Sequence, residues 1–255
     1  MISIKGEYEL QLMRQSGRVT GRILRDLKGL IRPGITTWDI DHYVDEAIRA
    51  QGMTPTFKGY QGYPASACTS VNDEIVHGIP SRRRVLQEGD IVSVDIGSTW
   101  HGYVSDAART YAVGRIDEAA RSLIESARRA FFCGLTECRP RHRVSDISHA
   151  IQESVEGDGC GVVRELVGHG VGSRMHEEPQ IPNYGRPGRG PRIAKGMVFA
   201  IEPMITAGSP QIRQLDDGWT IVTADGSLAA HYENTVVITD DEPELLTLDT
   251  EEENS

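Results

Sequence analysis

Two stretches of the chain repeat one pattern of apolar and polar residues. They are "RPGITTWDIDHYVDEAIRAQG" (32–52) and "RPRHRVSDISHAIQESVEGDG" (139–159), which align without a gap at an offset of 107 residues. Seven of the 21 aligned residues are identical, where average composition predicts about one. Apolar residues recur at the spacing of one helix face, namely Ile40, Val44 and Ile48, and then Ile147, Ile151 and Val155. Each stretch is therefore predicted to form an amphipathic helix that follows a proline and ends at a glycine.

The likeness extends to the segments around these helices. A further helix is predicted before each copy, over 7–30 and over 117–136. At the same offset the apolar run "GDIVSVDIG" lies over "GMVFAIEPM", so that Asp95 aligns with Glu202. Both runs are typical of buried strands that end in a carboxylate.

These patterns predict an α+β protein with two similar halves that share one site. We expect the halves at about 5–113 and 114–248, within a single domain of residues 1–248. The acidic residues 249–255 are expected to be disordered. His42 and His149 occupy matching positions inside the repeated helices, where capping or packing is a more common role than metal binding.

Asp95 and Asp106 lie in two β-rich runs joined by a turn, which is typical of a hairpin. If the turn centres between Trp100 and His101, the two aspartates are directly opposite, with Cβ atoms roughly 5 Å apart. Like charges at that distance repel. A cation between them would relieve the repulsion, and so would a shared proton.

Two more acids and one histidine have similar settings. Glu202 follows the apolar run "MVFAI", and Glu233 lies in the alternating run "AAHYENTVVIT". His169 belongs to the glycine-rich stretch "ELVGHGVGSRMHEEP", which cannot form an ordinary helix. Four carboxylates and one imidazole would neutralise two divalent cations. Such oxygen-rich ligands suit manganese, iron(II) or cobalt, and are compatible with zinc.

The overall charge and the cysteines narrow the classes of function. The net charge is −10 and the only basic cluster is "SRRRV" at 81–85, which argues against nucleic acid as a specific partner. Charges at Lys5 and Glu7 argue against a signal peptide, and no apolar run has the roughly 20 residues of a membrane span. The four cysteines form no CxxC pair, so free thiols in a reducing cytoplasm are expected.

Six motifs in order resemble the signatures of the type I methionine aminopeptidases, in their bacterial form. They are "VNDEIVHGIP" with His77, the hairpin with Asp95 and Asp106, "GHGVG" with His169, "MHEEP" with His176, "AIEPM" with Glu202, and "YENTVV" with Glu233. The resemblance covers roughly residues 5–247. It implies the pita-bread fold, in which two pseudo-symmetric halves curve around a site for two metal ions.

The resemblance also implies a role for each site residue. Asp95 would bind one ion, His169 and Glu202 the other, and Asp106 and Glu233 both ions. His77 and His176 would contact the substrate and assist proton movement, and Glu202 would also serve as the general base. A methionine side-chain pocket would be formed by Phe57, Tyr60, Tyr63, Cys68, Met175 and Trp219.

Two further positions in these motifs are notable. Glu177 and Glu178 are not expected to be ligands, because the ligand carboxylates come from other segments. Asn234 departs from the family, in which many members have histidine after the bridging glutamate.

The activity implied is the removal of the initiator methionine from nascent chains with a small second residue. A cytoplasmic monomer with two divalent ions, no membrane association and a transient ribosome contact is the corresponding expectation. Two alternatives stay open at this point. One is an X-Pro aminopeptidase or prolidase on the same fold, and the other is a metal-free, ribosome-associated binding protein on that fold.

Overall fold

The computed structural model describes residues 2–248 of the chain. The acidic segment 249–255 lies outside the described residues. Four α-helices occur in the described part, with a short 3₁₀ turn at Tyr60–Gly62. They are α1 (Glu7–Leu30), α2 (Thr37–Ala50), α3 (Glu118–Leu135) and α4 (Val144–Gly157). These bounds lie close to the helices predicted from the sequence.

The strands are mostly short. They are β1 (Thr54–Pro55), β2 (Ala67–Val71), β3 (Glu74–Val76), β4 (Ile91–Trp100), β5 (Tyr103–Ala112), β6 (Gly161–Val162), β7 (Val167–Gly170), β8 (Glu177–Pro182), β9 (Val198–Ile201), β10 (Met204–Thr206), β11 (Ile212–Gln214), β12 (Ile221–Thr223), β13 (Ala229–His231), β14 (Asn234–Val237) and β15 (Glu244–Leu245).

Every strand pairing is antiparallel. In one sheet β4 lies between β1 and β2 and also pairs with β5. A second sheet has the order β15-β14-β9-β7-β8. Two further sheets have three strands each, in the orders β13-β10-β6 and β11-β12-β3. The mixture of helices and antiparallel strands confirms the predicted α+β class.

The repeated aspartate of the two similar stretches begins a helix in both cases. The Asp39 carboxylate accepts a hydrogen bond of 2.7 Å from the backbone N–H of Thr36. Asp146 accepts an equal bond from the backbone N–H of Arg143. Each bond satisfies a donor that the helix itself leaves without a partner. The two helices, α2 and α4, have the same length of 14 residues.

The repeated glycine and histidine also have matching roles. Gly52 and Gly159 follow the two helices with φ of 72° and 76°, the left-handed conformation that glycine adopts without strain. His42 Nε2 lies 3.5 Å from Glu46 Oε1, and His149 Nε2 lies 3.4 Å from Glu153 Oε1. Each glutamate is one turn further along its helix. Both histidines are therefore surface groups of their helices.

Each pair of helices covers its own sheet. Leu27 of α1 and Ile40 of α2 belong to a buried cluster with Val94 of β4. A second buried cluster joins Phe131 of α3 and Ile151 of α4 to strand β9 and its neighbours. No helix among residues 2–248 combines the length and the apolar composition needed to cross a bilayer.

The predicted register of the β4–β5 hairpin is wrong by two positions. Asp95 is opposite Ala108, and Asp106 is opposite Gly97. The two-residue turn is formed by His101 and Gly102, with φ of 47° and 82°. Positive φ at both central residues matches the right-handed twist of the strands, so the turn centres one residue later than predicted. The two aspartates are consequently diagonal neighbours on one face of the hairpin.

Candidate active site and metal centre

The five predicted metal ligands come from five separate segments. Asp95 lies in β4, Asp106 in β5 and His169 in β7. Glu202 and Glu233 lie where two longer β runs change sheets. In the run 198–206, Glu202 lies between β9 and β10, and in the run 229–237, Glu233 lies between β13 and β14. Strand β9 pairs with β14 on one side of the two glutamates, and β10 pairs with β13 on the other side. The change of sheet turns both carboxylates toward the hairpin that carries the aspartates.

One carboxylate oxygen of each aspartate has no hydrogen-bond donor beside it among the described residues. Asp95 Oδ1 and Asp106 Oδ1 are buried and have no hydrogen-bond partner among the described residues. Burial raises the pKa of Asp95 well above its ordinary value, and the charges of Asp106 and Glu202 raise it further. Burial also raises the pKa of Asp106. A buried carboxylate oxygen without a donor is costly unless a proton or a cation satisfies it.

The pKa values of the two glutamates are also raised. Burial raises the pKa of Glu202, with a contribution from the charge of Asp106. For Glu233 burial again has the largest effect, and the charges of Asp106 and Glu202 add to it. Four buried acids around one point fit divalent cations, because a cation satisfies the lone pairs and removes the repulsion together.

Two groups of possible ligand atoms among residues 2–248 share Glu233, and Glu202 belongs to neither. Asp106, His169 and Glu233 place one ligand atom each within 4.8 Å of one another. Asp95, His231 and Glu233 form a second such group. Asp106, for which the family resemblance implies a bridging role like that of Glu233, belongs to one group only.

His169 is oriented as a metal ligand by its own strand. Its Nδ1 lies 2.9 Å from the carbonyl oxygen of Gly170, which leaves Nε2 free to bind through its lone pair. Nε2 lies 3.7 Å from Asp106 Oδ2 and 3.5 Å from Glu202 Oε1. Burial lowers the pKa of His169 to about 4, so its ring is neutral at neutral pH. Gly168 is required beside it, because a Cβ there would lie 2.5 Å from the carbonyl oxygen of Ala200.

His77 and His176 line the same cavity. His77 follows β3 with a φ of 60°, a conformation that is uncommon for residues other than glycine. Burial lowers its pKa. The ring of His176 stacks edge-on against His169, with centroids 4.3 Å apart. The Nδ1 of His176 lies 2.7 Å from the Tyr60 hydroxyl oxygen.

The predicted methionine pocket adjoins the acids. All the residues predicted for the metal centre, for catalysis and for substrate binding line one cavity of about 140 Å³. Tyr63 and Trp219 pack edge-to-face there, with ring centroids 5.1 Å apart. Phe57, Tyr63 and Cys68 are buried together, with Met175 and Trp219 packed against them. The cavity therefore has an acidic end and an apolar, sulfur-containing wall.

Asn234, the position that departs from the family pattern, supports the cluster through an arginine. Its Oδ1 accepts hydrogen bonds from Arg109 Nη2 and from the Thr247 hydroxyl, both of 2.9 Å. Arg109 Nη1 donates to the backbone carbonyl oxygen of Glu233 at 2.6 Å. Asn234 thus ties the segment of Glu233 both to β5 and to the C-terminal residues.

Several residues at the site were not predicted from the sequence. Gln61 lines the cavity, and the Thr235 hydroxyl both accepts from the N–H of Asp106 and donates to its carbonyl oxygen. His231 has its ring buried beside Asp95 and Glu233. One signal was available for His231, since alternation along the strand puts residues 231 and 233 on one face.

Comparison with known proteins agrees with this geometry. Residues 11–240 match the family described as "Metallopeptidase family M24". The methionine aminopeptidase of Clostridium acetobutylicum is 53% identical over 248 residues, which is 97% of this chain and 99% of that protein. The chain therefore belongs to metallopeptidase family M24, and it is a metal-dependent hydrolase. Within that family it is grouped with the methionine aminopeptidases.

Solved structures show the same relationship. The crystal structure of methionine aminopeptidase from Thermotoga maritima matches with a TM-score of 0.96 and 45% identity, over 98% of this chain and all of that one. The Xaa-Pro dipeptidase of Bacillus anthracis matches with a TM-score of 0.75 and 20% identity, over 96% of this chain and 61% of that one. At such low identity the second match supports the fold alone. The pita-bread fold is confirmed.

Proposed function

We propose that the enzyme hydrolyses the peptide bond after an N-terminal methionine and so removes the initiator methionine from nascent proteins. The observation that carries this proposal is the cavity itself, which joins a buried acidic cluster to an apolar wall. A flexible thioether fits a wall of aromatic and sulfur-containing groups. The chain's 53% identity to a protein named methionine aminopeptidase supports the same substrate class.

Asp95, Asp106, His169, Glu202 and Glu233 would hold the metal ions. When bound, divalent ions would supply Lewis-acid chemistry, which makes a water molecule easier to deprotonate and polarises a carbonyl group. Cobalt, manganese and iron(II) suit these ligands, and zinc is compatible with them.

Glu202 acts as the general base in this proposal. It accepts the proton of the attacking water and passes it to the leaving amine. Glu202 lies beside His169, and its side chain is 13% exposed, so it is more accessible from the cavity than the buried Asp106 and Glu233. An ionised carboxylate within hydrogen-bond reach of the attacking water can accept its proton.

His77 and His176 stabilise the reacting carbonyl group. With the Tyr60 hydroxyl donating to Nδ1, the proton of His176 is on Nε2, which can donate a hydrogen bond into the cavity. The ring of His77 is edge-on to that of Trp219, with centroids 6.4 Å apart. Both rings would donate to the carbonyl oxygen as negative charge develops there.

The setting in the cell follows from this activity. We propose a cytoplasmic monomer that contacts the ribosome transiently and acts on chains with a small second residue. A small residue is expected there because the acidic cluster and the two histidines surround the scissile bond.

A peptide panel tests the activity. The chelated protein is reloaded with Co²⁺ or Mn²⁺ and assayed on Met-Gly, Met-Ile, Leu-Gly and Ala-Pro peptides of equal length. We expect rapid release of methionine from Met-Gly alone, and no release before metal is added. Equal cleavage of Met-Gly and Leu-Gly would contradict the assignment.

The same panel separates the two alternatives. Preferential cleavage of Ala-Pro would identify an X-Pro aminopeptidase, whose fold is shared at only 20% identity. Absence of stoichiometric metal and of all cleavage would identify a binding protein. The full set of buried acids disfavours the second alternative, because without cations their mutual repulsion serves no purpose.

A further inference from the structure

A second cavity is lined by residues of α1, β5 and α3. Its volume is about 410 Å³, against about 140 Å³ for the active-site cavity, and the two cavities share no lining residue. Cavities of roughly 300–1,000 Å³ are typical sites for small organic ligands. We call it the basic cavity, because its lining includes Lys28, Arg109, Arg121 and Arg128.

The charge of the basic cavity is opposite to that of the whole chain. The chain has a net charge of −10, whereas Glu125 is the single carboxylate in the described lining. Among residues 2–248, neither Lys28 nor Arg128 has a carboxylate within 4 Å. Arg121 lies 3.7 Å from Glu118, and both of these side chains are largely exposed. A cleft lined by one sign of charge attracts and concentrates ions of the other sign, so the cavity favours an anion.

Aromatic rings orient two of the arginines. Arg128 Cζ lies 4.9 Å from the ring centroid of Phe132, and Arg109 Cζ lies 4.2 Å from that of Tyr232. A guanidinium group stacked on a ring keeps its N–H donors at its edge, where they match the oxygens of a phosphate group.

Arg109 contributes charge rather than new hydrogen bonds. Its side chain is buried, and its two Nη atoms donate to the carbonyl oxygen of Glu233 and to Asn234 Oδ1. The hydrogen bonds to a bound anion would therefore come from the three exposed cations, Lys28, Arg121 and Arg128.

An apolar wall completes the basic cavity. Ile31, Ile116 and Ile124 belong to its lining. Ile116 and Ile124 are only partly buried and pack against the core around α3 and α4. Such a wall suits the carbon body of a ligand, which an inorganic anion does not have.

We propose that the basic cavity binds a small organic phosphate. Lys28, Arg121 and Arg128 hold the phosphate group, and the carbon body lies against Ile116 and Ile124. A phosphate group suits these cations better than a carboxylate, because it carries nearly two negative charges and has three acceptor oxygens. The site is separate from the metal centre and goes beyond the proposed hydrolysis of peptides.

Calorimetric titration of the full-length, Co²⁺-loaded protein, freed of excess metal, tests this site. The probes are adenosine 5′-monophosphate, its uncharged counterpart adenosine, and inorganic phosphate. We expect the monophosphate to bind once per chain at low salt with a Kd below about 1 mM, and to bind more weakly as salt is added. Adenosine, which has no charge, and inorganic phosphate, which has no carbon body, should each bind at least about 10-fold more weakly.

Two variants locate the bound phosphate. Lys28→Met and Arg128→Met each remove one cation and keep a long side chain, and each should weaken binding of the monophosphate about 10-fold. Arg186→Met is the matched control, because Arg186 is exposed and lines neither cavity. That control should bind like the wild type. All three substituted residues are exposed, so thermal unfolding without probe should be unchanged.

Binding of the monophosphate that both cavity variants leave unchanged would overturn the inference, and so would equal binding of adenosine. If the unchanged binding also raises KM for Met-Gly peptides, the phosphate occupies the metal centre instead. Absence of binding by the wild-type protein would overturn the inference whatever the variants do.

Discussion

The ammonium group of Lys5 lies 2.7 Å from the carboxylate of Glu177, and both side chains are almost completely buried. The Ser3 hydroxyl donates to the same carboxylate at 2.5 Å. Glu177 follows His176 directly and begins β8. The residues before α1 are thus bound to the segment that carries a histidine of the active site. The carboxylate of Glu177, an acid beside that histidine, is thus occupied by Lys5 and Ser3.

We expect Lys5→Met to destabilise the protein by about 3–5 kcal/mol, because Glu177 would be left as a buried charge without its partner. Urea unfolding measures the change. Lys195→Met is the matched control, since Lys195 pairs with Asp240 on the surface, with side chains 66% and 67% exposed. The control should unfold like the wild type. Equal effects of the two substitutions would contradict the prediction.

The same contact predicts a pH dependence. Burial raises the pKa of Glu177, but hydrogen bonds from Lys5 and Ser3 outweigh it and bring the pKa down to about 2. A lowered pKa stabilises the fold above the ordinary value of 4.5, and this stability is lost as the pH falls toward 2. The difference in unfolding free energy between wild type and Glu177→Gln should therefore shrink from pH 6 to pH 2. A difference that is constant over this range would refute the assignment.

Gly17 of α1 is expected to be intolerant of a side chain. A Cβ there would lie 2.3 Å from the backbone carbonyl oxygen of Leu246, which crosses the helix. Gly17→Ala should cost about 1–3 kcal/mol, since one of the two backbones must move. Gly29→Ala, in the same helix, has no atom within 4 Å of its Cβ and should stabilise the protein by about 0.5–1 kcal/mol. Thermal unfolding of the two variants compares them directly.

Tyr60→Phe is expected to lower kcat about 3- to 10-fold, the equivalent of one hydrogen bond. The variant keeps the ring that lines the cavity but loses the hydroxyl 2.7 Å from His176 Nδ1. The tautomer of His176 is then no longer held, while KM for Met-Gly peptides should change little. Tyr8→Phe is the control, because Tyr8 is 72% exposed. A loss confined to KM would contradict the role given to Tyr60.

Glu202→Gln is expected to lower kcat about 10²- to 10⁴-fold, because an amide cannot accept the proton of the attacking water. The metal-free variant should unfold at no lower temperature than the metal-free wild type, since one of four repelling charges is removed. Glu178→Gln is the control, as Glu178 is exposed beside the same site. Full activity of Glu202→Gln would exclude it as the general base.

The sequence alone determined the helices, the class of fold and the family. The repeated helices α2 and α4 begin 107 residues apart, as the aligned stretches predict, because helix spacing and capping are local properties of a short segment. All the site residues predicted from the ordered motifs line one cavity. The residue types alone indicated only the four buried acids and His169, whereas His77, His176 and the methionine pocket were implied by the family resemblance.

Only the tertiary structure decided how the segments meet. The register of the aspartates depends on which two residues form the turn, and a shift of one residue in the turn moves the partner of Asp95 by two positions. The approach of His231 to Asp95, the support of Glu233 by Arg109 and the pairing of Lys5 with Glu177 join segments far apart in the chain. Such contacts depend on how the sheets pack, and no local pattern of residues encodes them.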